Sequence, residues 1–302
     1  STPRARPETT KCPAAPRSPA SFFANAQPLA LALRAPTMPT ICAFAARCTW
    51  PRTVSTGGAS GIGKGISEGL AAEGANVVIA DLNLESAQST ADAITKAGGK
   101  AIAAQVDVTK RASVAAGIEL AVKSFGKLDC YFNNAGFNKP MKFLDVTEEN
   151  FNAIMSVNAL AVFVGTQEAA KQFIRQGSGG KVVNTASIAG RQGFSSFAPY
   201  SASKAAVISI TQAAARALAE HKITVNAFSP GVVDTPLWVK LDKDLEEIGE
   251  GDSGFDSMAA GILIGRAAKP EDILPTALFL ASSDSDYVTG QTMAIDGGMI
   301  LV

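Results

Sequence analysis

The chain holds a single histidine, His221, and four cysteines among its 302 residues. That is too little ligand chemistry for a structural and a catalytic zinc together, so no metal site is expected. An excess of one charge is missing too, since 27 Lys and Arg balance 27 Asp and Glu. A neutral chain offers neither a nucleic-acid footprint nor a polybasic tail for an anionic membrane. Glycine is absent from the first 56 residues, Gly57 being the first. Long hydrophobic runs are absent there as well. The apolar patches at 29–33 and 41–46 are short and lie on either side of Pro36 and Pro39, too interrupted to span a bilayer.

What is present falls into two compositions. Residues 1–52 carry seven Lys and Arg against one acid, Glu8, together with nine of the fifteen prolines and Cys12, Cys42 and Cys48. The following 250 residues hold 20 basic and 26 acidic side chains, so a net −6 offsets a net +6. Three cysteines in the leader do not make a disulfide framework. Its acid-poor, Arg-, Ser- and Pro-rich text resembles an organelle transit peptide. A disordered leader, or residues added by a wrong start site or reading frame, accounts for it equally. The expectation is an irregular N-terminal extension over 1–52 and one catalytic domain over 53–302, cytoplasmic unless the leader directs organellar import.

From Thr56 the text alternates β-branched runs with helical patterns, the βαβ rhythm of a parallel sheet. Strands are expected at 76–80, 101–106, 128–132, 181–184, 223–228 and 291–295. Helices are expected at 63–73, 84–97, 113–125, 148–176, 200–220 and 270–281. Gly74, Gly98 and Gly126 suit left-handed caps at helix ends. The strands read as continuous apolar runs, as they do when helices cover both faces. The fold class is therefore α/β, a Rossmann-like doubly wound parallel sheet whose ligands bind beyond the strands' carboxyl ends. The first strand is the exception: Pro51-Arg52-Thr53-Val54-Ser55 puts a proline and an arginine where apolar residues belong, so it is expected to be short or damaged.

The segment Thr56-Gly57-Gly58-Ala59-Ser60-Gly61-Ile62-Gly63 follows that strand and opens a helix. Its glycines let the backbone turn sharply and approach a pyrophosphate at the helix N-terminus. Gly-rich turns are common, and alone this one is weak evidence. Eighteen residues past Gly63 the second strand runs into Asp81, an acid able to accept both ribose hydroxyls and repel a 2′-phosphate. The plain alternative is a helix-capping aspartate. Asp107-Val108 and Asn133-Asn134-Ala135-Gly136 follow the third and fourth strands as polar turns. The sharpest signal is Tyr200-Ser201-Ala202-Ser203-Lys204, with Ser187 thirteen residues earlier. Tyr200 and Lys204 share a helix face, so the ammonium is expected to pull the phenol's pKa toward neutrality and make it a general acid/base. Ser187, at the end of a strand, is placed to hold a substrate oxygen.

Together these motifs resemble the short-chain dehydrogenase/reductase family, in its single-domain, NAD-preferring form, from about Thr56 to Val302. The glycine spacing fits its TGxxxGxG pattern, and no Arg or Lys stands at Ser60 or Leu82, where NADP-preferring members carry one. The resemblance implies a catalytic tetrad of Asn158, Ser187, Tyr200 and Lys204, with Asn158 holding a water in the proton relay. It implies NAD rather than NADP, held by Gly57, Ser60, Gly61, Ile62, Gly63, Asp81, Leu82, Asp107, Val108, Asn134, Ala135 and Gly136. Tyr200 and Lys204 would share in this binding, as would Pro230, Gly231, Val233 and Thr235 in a cofactor-closing turn. It implies a substrate lid over about 236–258, although the charged run Asp242–Glu247 reads unaided as a solvated amphipathic helix. It also implies a homotetramer acting on a small-molecule alcohol or ketone. Within the family the text is most similar to the meso-2,3-butanediol dehydrogenase/acetoin reductase and polyol dehydrogenase branch. A silent nucleotide-binding scaffold is opposed by the intact tetrad, and an NADP-dependent acyl-chain ketoreductase by Asp81.

Overall fold

The computed structural model describes residues 50–301. The expectations placed on residues 1–49 lie outside them. Seven strands form one parallel sheet: β1 (Arg52–Thr56), β2 (Asn76–Asp81), β3 (Lys100–Gln105), β4 (Cys130–Asn133), β5 (Gly180–Thr185), β6 (Ile223–Pro230) and β7 (Thr292–Ile295). Their order is β3-β2-β1-β4-β5-β6-β7, which reverses between β1 and β4. At that reversal the crossovers leave in opposite directions and open a crevice above the strands' carboxyl ends.

Two cores explain why the strands read as unbroken apolar runs. Val54, Val78, Tyr131, Val182 and Val225 pack on one face under α3 (Arg111–Phe125), α5 (Ala161–Gln176) and α6 (Ala198–Leu218). Val77, Ile79, Phe132, Val183 and Phe228 pack on the other, under α1 (Gly61–Ala72), α2 (Leu84–Lys96) and α9 (Pro270–Ala281). Neighbouring residues such as Val77 and Val78 thus point to opposite faces and are both buried. Gly74, Gly98 and Gly126 all carry positive φ, so the expected left-handed helix ends are present.

β1 is not damaged. All five residues pair with β2, from Arg52 opposite Asn76 to Thr56 opposite Ala80, and Thr53–Ser55 also pair with β4. Pro51 stands just before the strand, where its carbonyl accepts the Asn76 N–H at 3.2 Å. Arg52 opens the strand with its guanidinium paired to Asp129 and its N–H donated to the same carboxylate at 2.9 Å. This pairing holds the Asp129 carboxyl below its ordinary range, against the upward pull of burial. The expected boundary at 52/53 therefore falls one residue inside β1, and Trp50 already packs against the second core.

The helix expected over 148–176 is interrupted. α4 (Glu148–Met155) passes into a π-turn, Ser156–Leu160, before α5 begins. By length and composition this is the one described run able to cross a membrane, but Ala169, Ala170 and Phe173 commit its apolar side to the core. The expected lid region holds two helices, α7 (Pro236–Glu247) and α8 (Phe255–Ala260), joined by a turn.

Candidate active site

Every strand end at the reversal contributes to one cleft of about 700 Å³. Gly57, Ser60, Gly61, Ile62, Asp81, Leu82, Asp107, Val108, Asn134, Ala135, Gly136 and Thr235 line it, together with Tyr200 and Lys204. A smaller pocket of about 110 Å³ adjoins it and is lined by Ser187, Pro230, Gly231 and Val233. Tyr200, Ile62 and Thr235 border both spaces. Gly63 and Asn158 line neither and act from behind the wall.

The glycine turn fits a pyrophosphate. Gly57 has φ +61°, and a Cβ on it would meet Ala135 Cα at 2.9 Å. A Cβ on Gly63 would run into the Gly57 carbonyl and the Asn134 amide, so Gly63 keeps the turn closed rather than facing the cleft. Ser60, at the N-cap of α1, makes no side-chain cap bond and the first turn holds no acid, which leaves the helix's N-terminal amides free for an anion. Asp81 does not cap α2; Asn83 does, accepting the Ser86 N–H at 3.0 Å. The Asp81 carboxylate instead accepts the Ala59 N–H at 3.2 Å and the Asn83 N–H at 3.1 Å, standing between the glycine turn and the end of β2. Asp107 accepts both the hydroxyl and the N–H of Thr109, at 2.6 and 2.9 Å, which hold its carboxyl below the ordinary range. The residues present fit a dinucleotide.

The floor under the cleft is a buried polar network. Thr56 Oγ1 donates to the Phe132 carbonyl at 3.0 Å and accepts the N–H groups of Asn134 and Ala135 at 3.1 and 3.2 Å. The Asn134 amide donates to the carbonyls of Thr56 and Gly57 and accepts from Thr185 Oγ1. Asn133 donates to Thr166 Oγ1 and Asn184 Oδ1, and Asn184 continues the chain to Thr211. Sequence reasoning named Asn134, named Thr56 only as the first residue of the glycine motif without this bonding role, and did not name Thr185, because a short hydroxyl residue at a strand end does not announce its partners.

Tyr200 and Lys204 share one face of α6, the ammonium 5.6 Å from the ring centroid. Lys204 is 4% exposed and donates to the Thr185 carbonyl at 2.7 Å. Burial pulls its ammonium down to about 8. Burial also pushes the Tyr200 phenol up, against the hydrogen bond with Ser187 that favours its ionised form. The expected lowering by Lys204 is thus not what this arrangement delivers: the ammonium is turned to a carbonyl, and desolvation outweighs the help from Ser187. Ser187 stands two residues beyond β5, where its hydroxyl also accepts the Ala189 N–H at 3.1 Å.

Asn158 sits in the π-turn, fully buried. Its Oδ1 accepts the Phe137 N–H at 3.0 Å, and its Nδ2 donates to the Phe137 carbonyl at 2.9 Å and to Ser203 Oγ at 3.2 Å. These bonds clamp the loop after β4 to α6. Phe137 and Ser203 were not legible as its partners, since each lies over twenty residues away. In the expected lid, Leu237, Trp238, Leu241 and Met258 wall the smaller pocket, and Trp238 meets Phe255 edge-on at 5.6 Å. The charged run of α7 belongs to an amphipathic helix whose Leu241 and Leu245 are buried.

Comparison with known proteins bears on the same stretch. The family model described as enoyl-(acyl carrier protein) reductase matches residues 57–300. L-2,3-butanediol dehydrogenase of Corynebacterium glutamicum is 44% identical over 249 residues, covering 81% of this chain and 96% of its own. A diacetyl reductase of the (S)-acetoin-forming type from Staphylococcus epidermidis is 39% identical over 251 residues, 82% of this chain and 97% of its own. Among solved structures, a short-chain type dehydrogenase/reductase from Mycobacterium marinum superposes with a TM-score of 0.76 at 34% identity, covering 83% of this chain and 95% of its own. A match that runs from the glycine turn past β7 leaves one reading: the chain belongs to the short-chain dehydrogenase/reductase family, oxidoreductases that act on alcohols and ketones with a nicotinamide cofactor.

Proposed function

We propose that this chain is an NAD-dependent secondary alcohol dehydrogenase, interconverting a diol or polyol of the 2,3-butanediol kind with its ketone, as acetoin. The observation that carries the reading is the place of Tyr200, which borders both the dinucleotide-sized cleft and the small apolar pocket. NAD, when bound, supplies an electrophilic nicotinamide carbon that accepts hydride. The glycine turn and the free amides of α1 would hold its pyrophosphate, and Asp81 would accept its ribose hydroxyls. The Asp81 carboxylate repels a 2′-phosphate, which favours NAD over NADP. Asp107 and Val108 flank the adenine side, and Val233 and Thr235 the carboxamide side.

On the substrate side, Ser187 orients the reacting oxygen by a hydrogen bond. In oxidation Tyr200 would take the hydroxyl proton of the carbinol, and a bound nicotinamide would supply the acceptor for its hydride. In reduction Tyr200 returns that proton to the new alkoxide. Lys204 supplies a positive charge that favours the phenolate, set against the burial that disfavours it. Trp238 and Leu241 cover the pocket and exclude water, the role of a lid over 236–258. Apolar side chains left on the surface of the π-turn and its flanking helices, Phe151, Leu160 and Phe163, support a contact between subunits there, as a homotetramer would require.

Steady-state kinetics with NAD and NADP over butane-2,3-diol, acetoin and a polyol panel test the reading. Tyr200→Phe is expected to lower kcat/KM by roughly 10²- to 10⁴-fold with the cofactor Kd little changed. Full activity in that variant sinks the mechanism, and no NADH signal with any alcohol sinks the function.

A further inference from the structure

The loop after β4 is pinned at alternate residues. Asn158 holds both backbone groups of Phe137, the Asn150 amide donates to the Lys139 carbonyl at 3.2 Å, and the Met141 N–H donates to Ser196 O at 3.1 Å. Asn138 lies between two of these anchors, so its backbone is fixed without using its own side chain. That side chain is 4% exposed and lines the small pocket beside Ser187 and Tyr200. Its Oδ1 is buried without a hydrogen-bond partner, and no described residue bonds its carboxamide. Folded proteins seldom leave a buried amide unpaired, and such groups call for an explanation. The pocket's other polar side chains, Thr185, Ser187, Tyr200, Thr235 and Trp238, make no hydrogen bond to it, and the rest of the lining is mostly apolar.

We infer that Asn138 is a specificity-determining residue that pairs with a second oxygen of the substrate, such as the neighbouring hydroxyl of a vicinal diol or an α-hydroxyketone. The inference rests on the alcohol dehydrogenase reading above. Ser187 and Tyr200 are taken up by the oxygen that reacts, so a second oxygen entering this pocket meets Asn138, the lining residue whose side-chain oxygen is buried and unpaired. A carboxamide both donates and accepts, and it therefore serves the diol and the hydroxyketone alike. A substrate lacking the second oxygen leaves the amide unpaired, which is how a polar site rejects a deoxy analogue.

The test compares acetoin with butan-2-one, which differs by that one oxygen, as substrates of the full chain with NADH. Wild type is expected to favour acetoin in kcat/KM by roughly 10- to 100-fold or more. Asn138→Ala and Asn138→Leu, the latter of similar volume, are expected to collapse that ratio toward unity. A ratio that survives both substitutions overturns the inference, as does an equal fall on both substrates, which marks a structural role. The wild-type ratio decides even if neither variant folds: butan-2-one turned over as well as acetoin overturns the inference. No turnover of either ketone overturns the dehydrogenase reading itself, a failure distinct from the others.

Discussion

Thr56 ties the end of β1 to the end of β4 at the reversal of the sheet. It is 1% exposed and its hydroxyl makes three hydrogen bonds, one donated to Phe132 O and two accepted from Asn134 and Ala135. Thr56→Val keeps the shape and removes all three. At about 1 kcal/mol net per bond, and with two N–H groups left without this acceptor, the loss comes to about 2–4 kcal/mol. For a domain of this size that is a fall of roughly 5–15 °C in Tm. Urea unfolding followed by circular dichroism measures it, with Thr56→Ser, which retains the hydroxyl, as the rescue. The same variant is expected to weaken NAD binding, because Asn134 and Ala135 line the cleft and Gly57 is packed against Ala135. A Thr56→Val protein within 0.5 kcal/mol of wild type (roughly the size of an ordinary surface substitution), or a Thr56→Ser protein no better than it, refutes the reasoning.

The buried hydroxyls of Thr53 and Ser55 have no partner, so Thr53→Val and Ser55→Ala are each expected to stabilise the fold by about 1 kcal/mol; a lower urea midpoint would contradict this. Lys204 titrates at about 8 in the folded protein, below the ordinary lysine value near 10.4, so the unfolded chain binds more protons between these values. Stability of the free protein is therefore expected to rise from pH 8 to 10, by an amount on the order of 3 kcal/mol, and Lys204→Met to lack that rise. Above pH 10 the raised Tyr200 works the other way, which bounds the window. Equal slopes in the two proteins would remove Lys204 as the cause. Asp81→Ser is expected to raise the NADP-to-NAD ratio of kcat/KM by roughly tenfold or more, since a like-charge contact is lost; an unchanged ratio would clear Asp81 of that role.

The sheet was legible because strands buried on both faces need unbroken apolar text, and Val77–Ala80 or Val182–Val183 supply it. The cleft was legible because its glycines answer a local geometric need. β1 was misread for a reason of distance: Arg52 is at home only because Asp129 arrives from 77 residues away. The same limit hid the partners of Asn158, each of which lies more than twenty residues away. Spacing gave Tyr200 and Lys204 a common helix face but not their charge states, which turn on burial and on a competing carbonyl at Thr185. Asn138 carried no pattern, and only its isolation within the pocket marks it.

The π-turn at Ser156–Leu160 has a consequence for how this chain tolerates insertion and deletion. An α-helix turns about 100° per residue, so one extra residue within a turn rotates everything beyond it by that amount. α4 and α5 are therefore set out of phase, one aligned to bury Asn150 and Ile154, the other to press Ala169 and Phe173 into the core. Removing a single residue from the turn would give a straighter and more regular helix. It would also swing either the Asn158 clamp or the core face of α5 out of line. Here the number of residues matters more than their chemistry, and the count is kept at the turn whose Asn158 fastens the first anchor of the active-site loop.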